Sequence, residues 1–296
     1  MSDSRSVSFQ EQTVRILRRT RYLAYAFYSP LERVLLRVSG ISGFPPIHLR
    51  RFVGAVATPE GSSMHYAMIL KLVTHLKSDC RILDLGCGCG LLELALEDYL
   101  SKGHAIGVDI HRPCIEWAAK HISRRSPNIS FRHADIYNPA YWPSGVLSVE
   151  QFFANLDEWG FDTIVAKSLF THMLIDELPV YLREIGRRLR PQGNGLLSFF
   201  LLNEDQHRLQ KEGKNKIEFH RPEGGPPYAF RRIAAPSAAV AYDEGVLHQM
   251  LAQSGLRCTS TFYGAWSGRS DALDFQDILV VEKEPEISKQ NFDRDG

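Results

Sequence analysis

A glycine-rich turn with an acid at its start is the segment of this sequence best suited to bind a small ligand. Residues 84–90 read DLGCGCG, follow a short apolar run and lead directly into a helical pattern. Glycines at alternate positions permit a tight turn, and they let backbone N–H groups at a helix N-terminus approach a ligand. An ordinary glycine-rich turn between a strand and a helix is the alternative. The inference therefore depends on residues at fixed distances beyond the turn.

Two further acids stand at the ends of the next two predicted strands. Asp109 lies nineteen residues after Gly90, where a carboxylate can accept both hydrogen bonds of a ribose diol. Asp135 ends the following strand and is placed to accept from the exocyclic amine of a base. Either acid alone could be a surface residue at a strand end. Together, at this spacing, they indicate a ligand that contains a nucleoside.

The positions of the small residues separate two classes of such ligand. Dinucleotide-binding folds favour G-x-G-x-x-G/A, but here Leu91 occupies the third position and the third glycine comes one residue earlier, at Gly90. Asp84 has no task beside a pyrophosphate, whereas it could hold a cationic amino group. An adenosine joined to an amino acid, as in S-adenosylmethionine, fits better than NAD(P).

Alternating strand and helix patterns position these residues and predict a parallel sheet covered on both faces. The strand patterns lie at 82–85, 104–110, 129–136, 161–170, 196–202, 257–266 and 276–283. The helical patterns lie at 62–76, 113–122, 175–189 and 244–255, with a turn expected at 190–195. Pro113 suits the first position of its helix.

The chain divides into an arm, a main domain and a tail. We expect a helical arm and linker at 1–54, with helices at 11–28 and 31–38, and a main domain at 55–283. Within that domain the polar, proline-rich segment 203–243 is too long for a plain connection, which favours a lid-like insertion over disorder. The polar tail spans 284–296, and the arginines at 15, 18, 19 and 21 are interpreted as a solvated helix face.

Composition limits the classes of function. The chain has 296 residues, which is enough for one large α/β domain. Its formal net charge of +1 gives no basic field of the kind that nucleic-acid-binding proteins show. No apolar run reaches the length of about 18 residues that a membrane span needs, and the polar N-terminus predicts no signal peptide. Five cysteines without metal spacing predict a reduced, cytoplasmic protein.

The turn, Asp109, Asp135 and the LRPQG lead-in to the fifth strand together resemble the class I S-adenosylmethionine-dependent methyltransferases. The likeness covers about 81–200 and the final strands. It implies a Rossmann-like, doubly wound α/β fold with a mainly parallel seven-stranded sheet in the order 3-2-1-4-5-7-6, extended by the N-terminal arm and by an insertion after strand 5. The segments 45–54, 170–172 and 263–269 are similar to a bacterial branch that modifies small molecules or sugars.

The resemblance also implies which residues bind S-adenosylmethionine and its product S-adenosylhomocysteine. The turn would wrap the methionine and ribose, Asp109 would bind the ribose hydroxyls, and Ile110 would pack on adenine. Asp135 and Ile136 would flank the adenine edge, and the exit of the fourth strand would face the methionine amino group and the acceptor. The implied cofactor residues are Asp84, Gly86, Cys87, Gly88, Gly90, Asp109, Ile110, Asp135, Ile136, Lys167 and Ser168.

Departures from other branches narrow the acceptor. The fourth strand exits as AKSLF at 166–170, not as the Asn/Asp-Pro-Pro-Tyr/Phe tetrapeptide of enzymes that methylate amino groups of nucleic acids. The paired glutamates of arginine methyltransferases and an Asp/Asn cluster for magnesium are missing as well. A small-molecule acceptor, methylated on oxygen or nitrogen without a metal, is the expected substrate. The sequence does not determine the oligomeric state, and a homo-oligomer is one of the states it allows.

His172 is the leading candidate for a general base, because it follows the fourth strand at the expected site. A structural histidine that packs on the next helix is the alternative, and His111 is interpreted as a wall residue. Other candidate bases in or near the insertion are Glu204, Asp205, His207 and His220. Tyr242 and Trp266 could line the acceptor pocket or belong to the core.

Three other functions compete with methyl transfer. The same fold and cofactor can serve aminopropyl transfer or cyclisation, for which a strongly acidic acceptor pocket would be the sign. A non-catalytic partner that retains the fold is disfavoured because every expected cofactor position is intact. An NAD(P)-dependent oxidoreductase is disfavoured by Leu91 and by the missing acid/base signature.

Overall fold

The computed structural model describes residues 28–32, 34, 43–50, 59–139, 141–156 and 159–284. The predicted arm helices at 11–28 and 31–38 lie almost wholly outside the described residues, as does the tail beyond 284. From Ile47 onward the α-helices are α1 Ile47–Arg50, α2 Pro59–Val73, α3 Leu91–Leu96, α4 Arg112–Ala118, α5 Val149–Ala154, α6 Leu178–Arg188, α7 Glu204–Lys211 and α8 Glu244–Gln253. None of the helices in these ranges has the length and hydropathy that a bilayer crossing requires.

The strands form two sheets. They are β1 Arg81–Leu85, β2 His104–Asp109, β3 Ile129–His133, β4 Phe161–Ala166, β5 Leu189–Phe199, β6 Leu201–Leu202, β7 Tyr228–Phe230, β8 Val240–Asp243, β9 Leu256–Phe262 and β10 Asp277–Lys283. The main sheet has the order β3-β2-β1-β4-β5-β10-β9, and β10 runs antiparallel to both neighbours. This confirms the predicted seven-stranded fold with its reversed last strand.

The central strand β1 is buried on both faces of the sheet. Its residues from Ile82 to Leu85 are all buried, because apolar side chains from helices cover each face. Asp84 is the one acid in this strand, and it pairs in register with Gly107 of β2 and Val165 of β4. The sheet therefore carries a buried carboxyl group to the point where β1 ends.

Two predicted boundaries in the second half of the chain were wrong. The turn expected at 190–195 lies inside β5, since α6 passes directly into the strand and the extra residues form an irregularity against β4. Gln192 has a φ of 65° at this irregularity. The predicted strand 196–202 is split, because β5 ends at Phe199 and β6 joins the second sheet. Earlier in the chain, Pro113 is the second residue of α4, whereas the sequence predicts it as the first.

The insertion at 203–243 is folded. It contributes α7, β7 and β8, and β8 lies between β6 and β7, parallel to the first and antiparallel to the second. A separate apolar cluster under this small sheet contains Phe200, Phe219, Ala241 and Trp266. The segment is therefore a small subdomain on the main sheet, and its action as a lid stays a prediction.

Asp277, the first residue of β10, ties the subdomain to the main sheet. Its carboxylate accepts hydrogen bonds from the backbone N–H groups of Leu201 at 2.7 Å and Gly264 at 2.6 Å, and from the indole of Trp266 at 2.7 Å. Burial raises the pKa of Asp277 to about 6. Trp266 is completely buried in this arrangement and is a core residue.

Candidate active site

A cavity of about 630 Å³ lies where the segments that follow β1, β2, β3 and β4 meet. In a parallel sheet the carboxyl ends of the strands share one edge, which is where ligands bind in such folds. The predicted site residues that line it are Asp84, Gly86, Cys87, Gly88, Asp109, Ile110, Ile136, Lys167, Ser168 and His172. Gly90 and Asp135 are not among the lining residues.

The glycine turn adopts a backbone that other residues rarely reach. Gly86, Gly88 and Gly90 have φ values of 80°, 56° and 72°. At Gly90 a Cβ atom would also stand 2.6 Å from the ring of Phe131, so this glycine is required for close packing beneath the turn. Gly90 thus supports the turn, while Gly86 and Gly88 face the cavity.

Asp109 fastens the turn to the end of β2. One oxygen of its carboxylate accepts from the N–H of Gly88 at 2.8 Å, and the other accepts from the N–H of His111 at 2.7 Å. Burial raises the pKa of Asp109, although these two N–H groups act in the opposite direction. The carboxylate is therefore held rigidly at the cavity wall, as a group that accepts from a ribose diol must be.

Asp84 at the start of the turn and Lys167 after β4 both line the cavity, and each acts on the pKa of the other through its charge. The Oδ1 atom of Asp84 is buried and has no hydrogen-bond partner in the described part of the chain. Lys167 lies 3.7 Å from a carboxylate oxygen of Asp274 and 3.8 Å from the ring centroid of Tyr66. Burial lowers the pKa of Lys167, against the influence of Asp274 and Asp84. An unpartnered acid oxygen beside a lysine suits the ammonium and carboxylate of an amino acid.

Ser168 is held in a strained conformation by a polar network. Its φ is 56°, which is uncommon for a residue other than glycine. Its N–H donates to Oγ of Ser198 at 2.7 Å, and its hydroxyl donates to Oε1 of Gln276 at 3.0 Å. Ser198 is fully buried on β5, whereas Gln276 lines the cavity. The network joins the exit of β4 to the neighbouring strand β5 and to Gln276, the residue before β10.

Asp135 holds a loop instead of lining the cavity. Its Oδ1 atom accepts from the indole N–H of Trp142 at 2.7 Å, and its carbonyl accepts from the N–H groups of Val146 and Leu147. The neighbouring Ile136 does line the cavity. Asp135 therefore stabilises the loop after β3, and its contact with adenine stays a prediction.

His172 lies on the short turn Phe170–His172 and is anchored to the subdomain. Its Nδ1 atom lies 3.0 Å from the carbonyl oxygen of Ser237 and 3.3 Å from the hydroxyl of Tyr141. A carbonyl oxygen can only accept, so this contact places the ring proton on Nδ1. In that tautomer Nε2 is the nitrogen that can take up a proton.

The other candidate bases lie away from this cavity. Glu204, Asp205, His207 and His220 are absent from its lining, whereas His111 is part of its wall. Tyr242 is buried, and its hydroxyl donates to the carbonyl oxygens of Phe170 and Met173. Tyr242 is therefore a support for the turn that carries His172.

Several lining residues were missed by the sequence analysis. They are Tyr66 from α2, Tyr141 from the loop after β3, Arg231 from the subdomain, and Gln276 before β10. Each comes from an element that tertiary packing brings to the sheet edge, so local spacing gave no signal for it.

The middle of the chain matches a known family. Residues 82–193 match the model of a methyltransferase domain. This range runs from β1 into β5 and contains the glycine turn, Asp109, Asp135 and His172.

Solved structures share the fold at low sequence identity. Mitomycin 7-O-methyltransferase has a TM-score of 0.50 and 15% identity, over 79% of this chain and 57% of that protein. This chain therefore spans little more than half the length of that relative. The 1,6-didemethyltoxoflavin-N1-methyltransferase of Burkholderia thailandensis, which holds its substrate and S-adenosylhomocysteine, has a TM-score of 0.50 and 18% identity, covering 81% and 88% of the two chains.

A third structure extends the same fold to a larger share of the chain. Magnesium protoporphyrin IX methyltransferase from Synechocystis, with S-adenosylhomocysteine bound, has a TM-score of 0.50 and 13% identity, over 89% of this chain and 100% of that one. The family match and the sheet order agree with the expectation from the glycine turn and the two acids. Residues 82–193 of this chain thus match a methyltransferase domain, in a fold that the chain shares with structures that hold S-adenosylhomocysteine.

Proposed function

We propose that this chain transfers a methyl group from S-adenosylmethionine to an oxygen or nitrogen atom of a small-molecule acceptor, such as a sugar or a secondary metabolite. One observation carries the proposal: the glycine turn, Asp109 and His172 line the same cavity. The bound cofactor supplies a methyl group on a sulfonium, which needs no further activation. The chain must then hold the acceptor within near-attack range and exclude water.

In this proposal the cofactor lies along the segments that follow β1 and β2. The N–H groups of the turn, together with Asp84 and Lys167, hold the methionine part, and Asp109 accepts from the ribose hydroxyls. Ile110 and Ile136 pack on the two sides of adenine. Contacts of Asp109 with Gly88 and His111 support this placement, because they fix the carboxylate before the ligand arrives.

His172 is the proposed general base. The contact of Nδ1 with the carbonyl of Ser237 fixes the tautomer in which Nε2 is the basic nitrogen, the one that can accept the proton of an acceptor hydroxyl or ammonium. The anchor comes from the subdomain, which also supplies Arg231 to the cavity wall. We therefore propose 203–243 as the part of the chain that selects the acceptor. Turnover in the presence of a chelator tests the proposed independence from metal ions.

Thermal stabilisation by candidate cofactors is the first test of the function. S-adenosylmethionine and S-adenosylhomocysteine should each raise the melting temperature of the purified protein by mass action, and NADH should not. A transfer assay with methyl-labelled S-adenosylmethionine and a panel of hydroxylated and amino-substituted small molecules then identifies the acceptor class. Stabilisation by NADH alone would contradict the proposal.

Replacement of His172 tests the base. His172→Ala should lower the turnover of a hydroxyl acceptor about 100-fold, because the proton no longer has an acceptor at the reacting atom. The affinity for S-adenosylhomocysteine should stay within about twofold, and the acid limb of the pH–rate profile should disappear. His207→Ala, on α7 and outside the cavity, is the matched control. Turnover that depends on His207 and not on His172 would move the base to the insertion.

A further inference from the structure

Glu93 is a buried acid for which methyl transfer has no obvious use. It lies in the first turn of α3, three residues after Gly90, and is 1% exposed. Neither of its carboxylate oxygens accepts a hydrogen bond from an N–H or hydroxyl group in the described part of the chain. A buried carboxylate without donors is costly, so the protonated form is the stable one. Burial raises the pKa of Glu93 well above its usual range, and the nearby charge of Asp84 acts in the same direction.

Asp84, whose Oδ1 atom is likewise buried without a donor, is close enough to Glu93 for each carboxyl group to act on the pKa of the other through charge and hydrogen bonding. Two carboxyl groups can form such a bond only if one of them carries a proton. Both oxygens of Glu93 lack a donor, whereas only Oδ1 of Asp84 does, so we assign the proton to Glu93 and make Asp84 the acceptor. Burial raises the pKa of Asp84 to about 7, although the bond from Glu93 opposes this rise. Burial therefore favours a proton on Asp84 as long as no cation lies beside it.

The charges around this pair come from every element that packs on it. Asp109 on β2 opposes a second negative charge, and Lys167 after β4 favours one. Burial raises the pKa values of Cys87 in the turn and Tyr66 on α2. Asp84 acts in the same direction on both groups, and Glu93 does so on Cys87. The ammonium group of Lys167 interacts with Asp274 as well as with Asp84, so Asp84 shares this positive charge with a second carboxylate. A cation placed beside Asp84 would therefore change the charge of the pair.

We propose that Glu93 is a positioning residue that donates a hydrogen bond to Asp84, and that binding of the cationic amino group of the cofactor drives the proton of Asp84 itself into solvent. The inference rests on the proposed function, since it takes S-adenosylmethionine as the ligand of this cavity. Only the O–H bond of Asp84 breaks, and its proton goes to the buffer. An ion pair between the ammonium and the carboxylate forms in its place, and Glu93 keeps its own proton.

The proposal makes cofactor affinity depend on pH through the amino-acid part of the ligand. Below neutrality Asp84 must lose its proton for the ion pair to form, so affinity should fall as pH decreases. Methylthioadenosine shares the adenosine and the sulfur with S-adenosylhomocysteine but lacks the amino group. It should bind without any proton release, which makes it the matched control ligand.

Titration calorimetry in buffers of different ionisation enthalpy measures the released protons directly. At pH 7 S-adenosylhomocysteine should release a measurable fraction of a proton per site, because burial keeps a proton on Asp84 until the ammonium group arrives. Methylthioadenosine should release none. Failure of both ligands and of S-adenosylmethionine to bind would overturn the proposed function and this inference together. Binding of S-adenosylhomocysteine without proton release would overturn the inference alone.

Two variants of Glu93 separate positioning from structural support. Glu93→Gln keeps an N–H donor for Asp84, so affinity for S-adenosylhomocysteine and proton release should be preserved. Glu93→Leu removes the donor and should weaken S-adenosylhomocysteine about tenfold while leaving methylthioadenosine unchanged. If Glu93→Leu weakens both ligands equally, or if Glu93→Gln fails to rescue, the residue is only structural. Should Glu93→Leu not fold, the ligand comparison on the unaltered protein and on Glu93→Gln still decides the question.

Discussion

The carboxylate of Asp109 joins the glycine turn to the end of β2, so its removal tests the cofactor assignment at one residue. Asp109→Ala should weaken S-adenosylhomocysteine at least about tenfold, because charge-assisted hydrogen bonds to the ribose hydroxyls are lost. Titration calorimetry measures this change. The far-ultraviolet circular dichroism should stay that of the unaltered protein, and an unchanged affinity would contradict the ribose assignment.

Single residues differed in how far the sequence could predict them. Asp84, Asp109 and His172 follow buried strands, and the shared edge of a parallel sheet brings such residues to one cavity. Gln276 reaches the cavity only because β10 reverses its direction beside β5, which no local pattern of the chain predicts. Glu93 did carry a signal, since it interrupts the apolar series of α3 on its buried side, and the sequence analysis did not use it.

At the scale of elements, β8 supports the turn that carries His172 through the hydroxyl of Tyr242. Tyr242→Phe should lower turnover about tenfold, because the carbonyls of Phe170 and Met173 lose their donor and the turn shifts. Affinity for S-adenosylhomocysteine should not change. Steady-state kinetics and calorimetry give the two readings.

Tyr228→Phe is the control for that variant, since it removes a hydroxyl from the neighbouring strand β7 and Tyr228 is absent from the cavity lining. Equal losses of turnover in the two variants would show that the small sheet is merely destabilised. A loss of cofactor affinity in Tyr242→Phe would contradict the separation of the two halves of the site.

The elements of the main sheet were predictable because alternation of apolar strands and helices is a local property. For the subdomain, the sequence indicates only that the alternation of strands and helices is interrupted at 203–243. Its sheet pairs Leu201 with Tyr242, residues far apart in the chain, and so short a strand as β6 carries no periodicity of its own. The sequence near Gln192 predicts a turn and not a strand irregularity, because glycine and proline favour turns and irregular strand segments alike.

At the scale of the whole molecule, the buried acid in β1 costs stability when the cofactor is absent. The folded-state pKa of Asp84, about 7, exceeds its ordinary value of 3.8, so the folded protein binds more protons than the unfolded chain. The free energy of unfolding should therefore fall as pH rises from about 4 to about 7. Asp84→Asn removes this dependence and should stabilise the cofactor-free protein at pH 8 by up to about 4 kcal/mol.

Urea unfolding at pH 5 and pH 8 measures the effect as the difference between the unaltered protein and Asp84→Asn. Asp79→Asn, at an exposed position just before the same strand, is the control and should leave that difference near zero. If the gap between Asp84→Asn and the unaltered protein does not widen with pH, Asp84 is already ionised in the free protein. That result would also remove the basis for proton release on cofactor binding.

The attachment of the subdomain has a consequence for exchanging acceptor preference between related enzymes. Two of the contacts that cross the boundary of 203–243 hold the turn of His172: Tyr242 donates to the carbonyl oxygens of Phe170 and Met173, and the carbonyl of Ser237 accepts from Nδ1 of His172. A transplanted segment that lacked a counterpart of Tyr242 would lose the original acceptor preference, and it would also leave the turn of His172 without its support. New acceptor choice is therefore obtained more safely by changing the lining side chains, beginning with Arg231, than by grafting the whole segment.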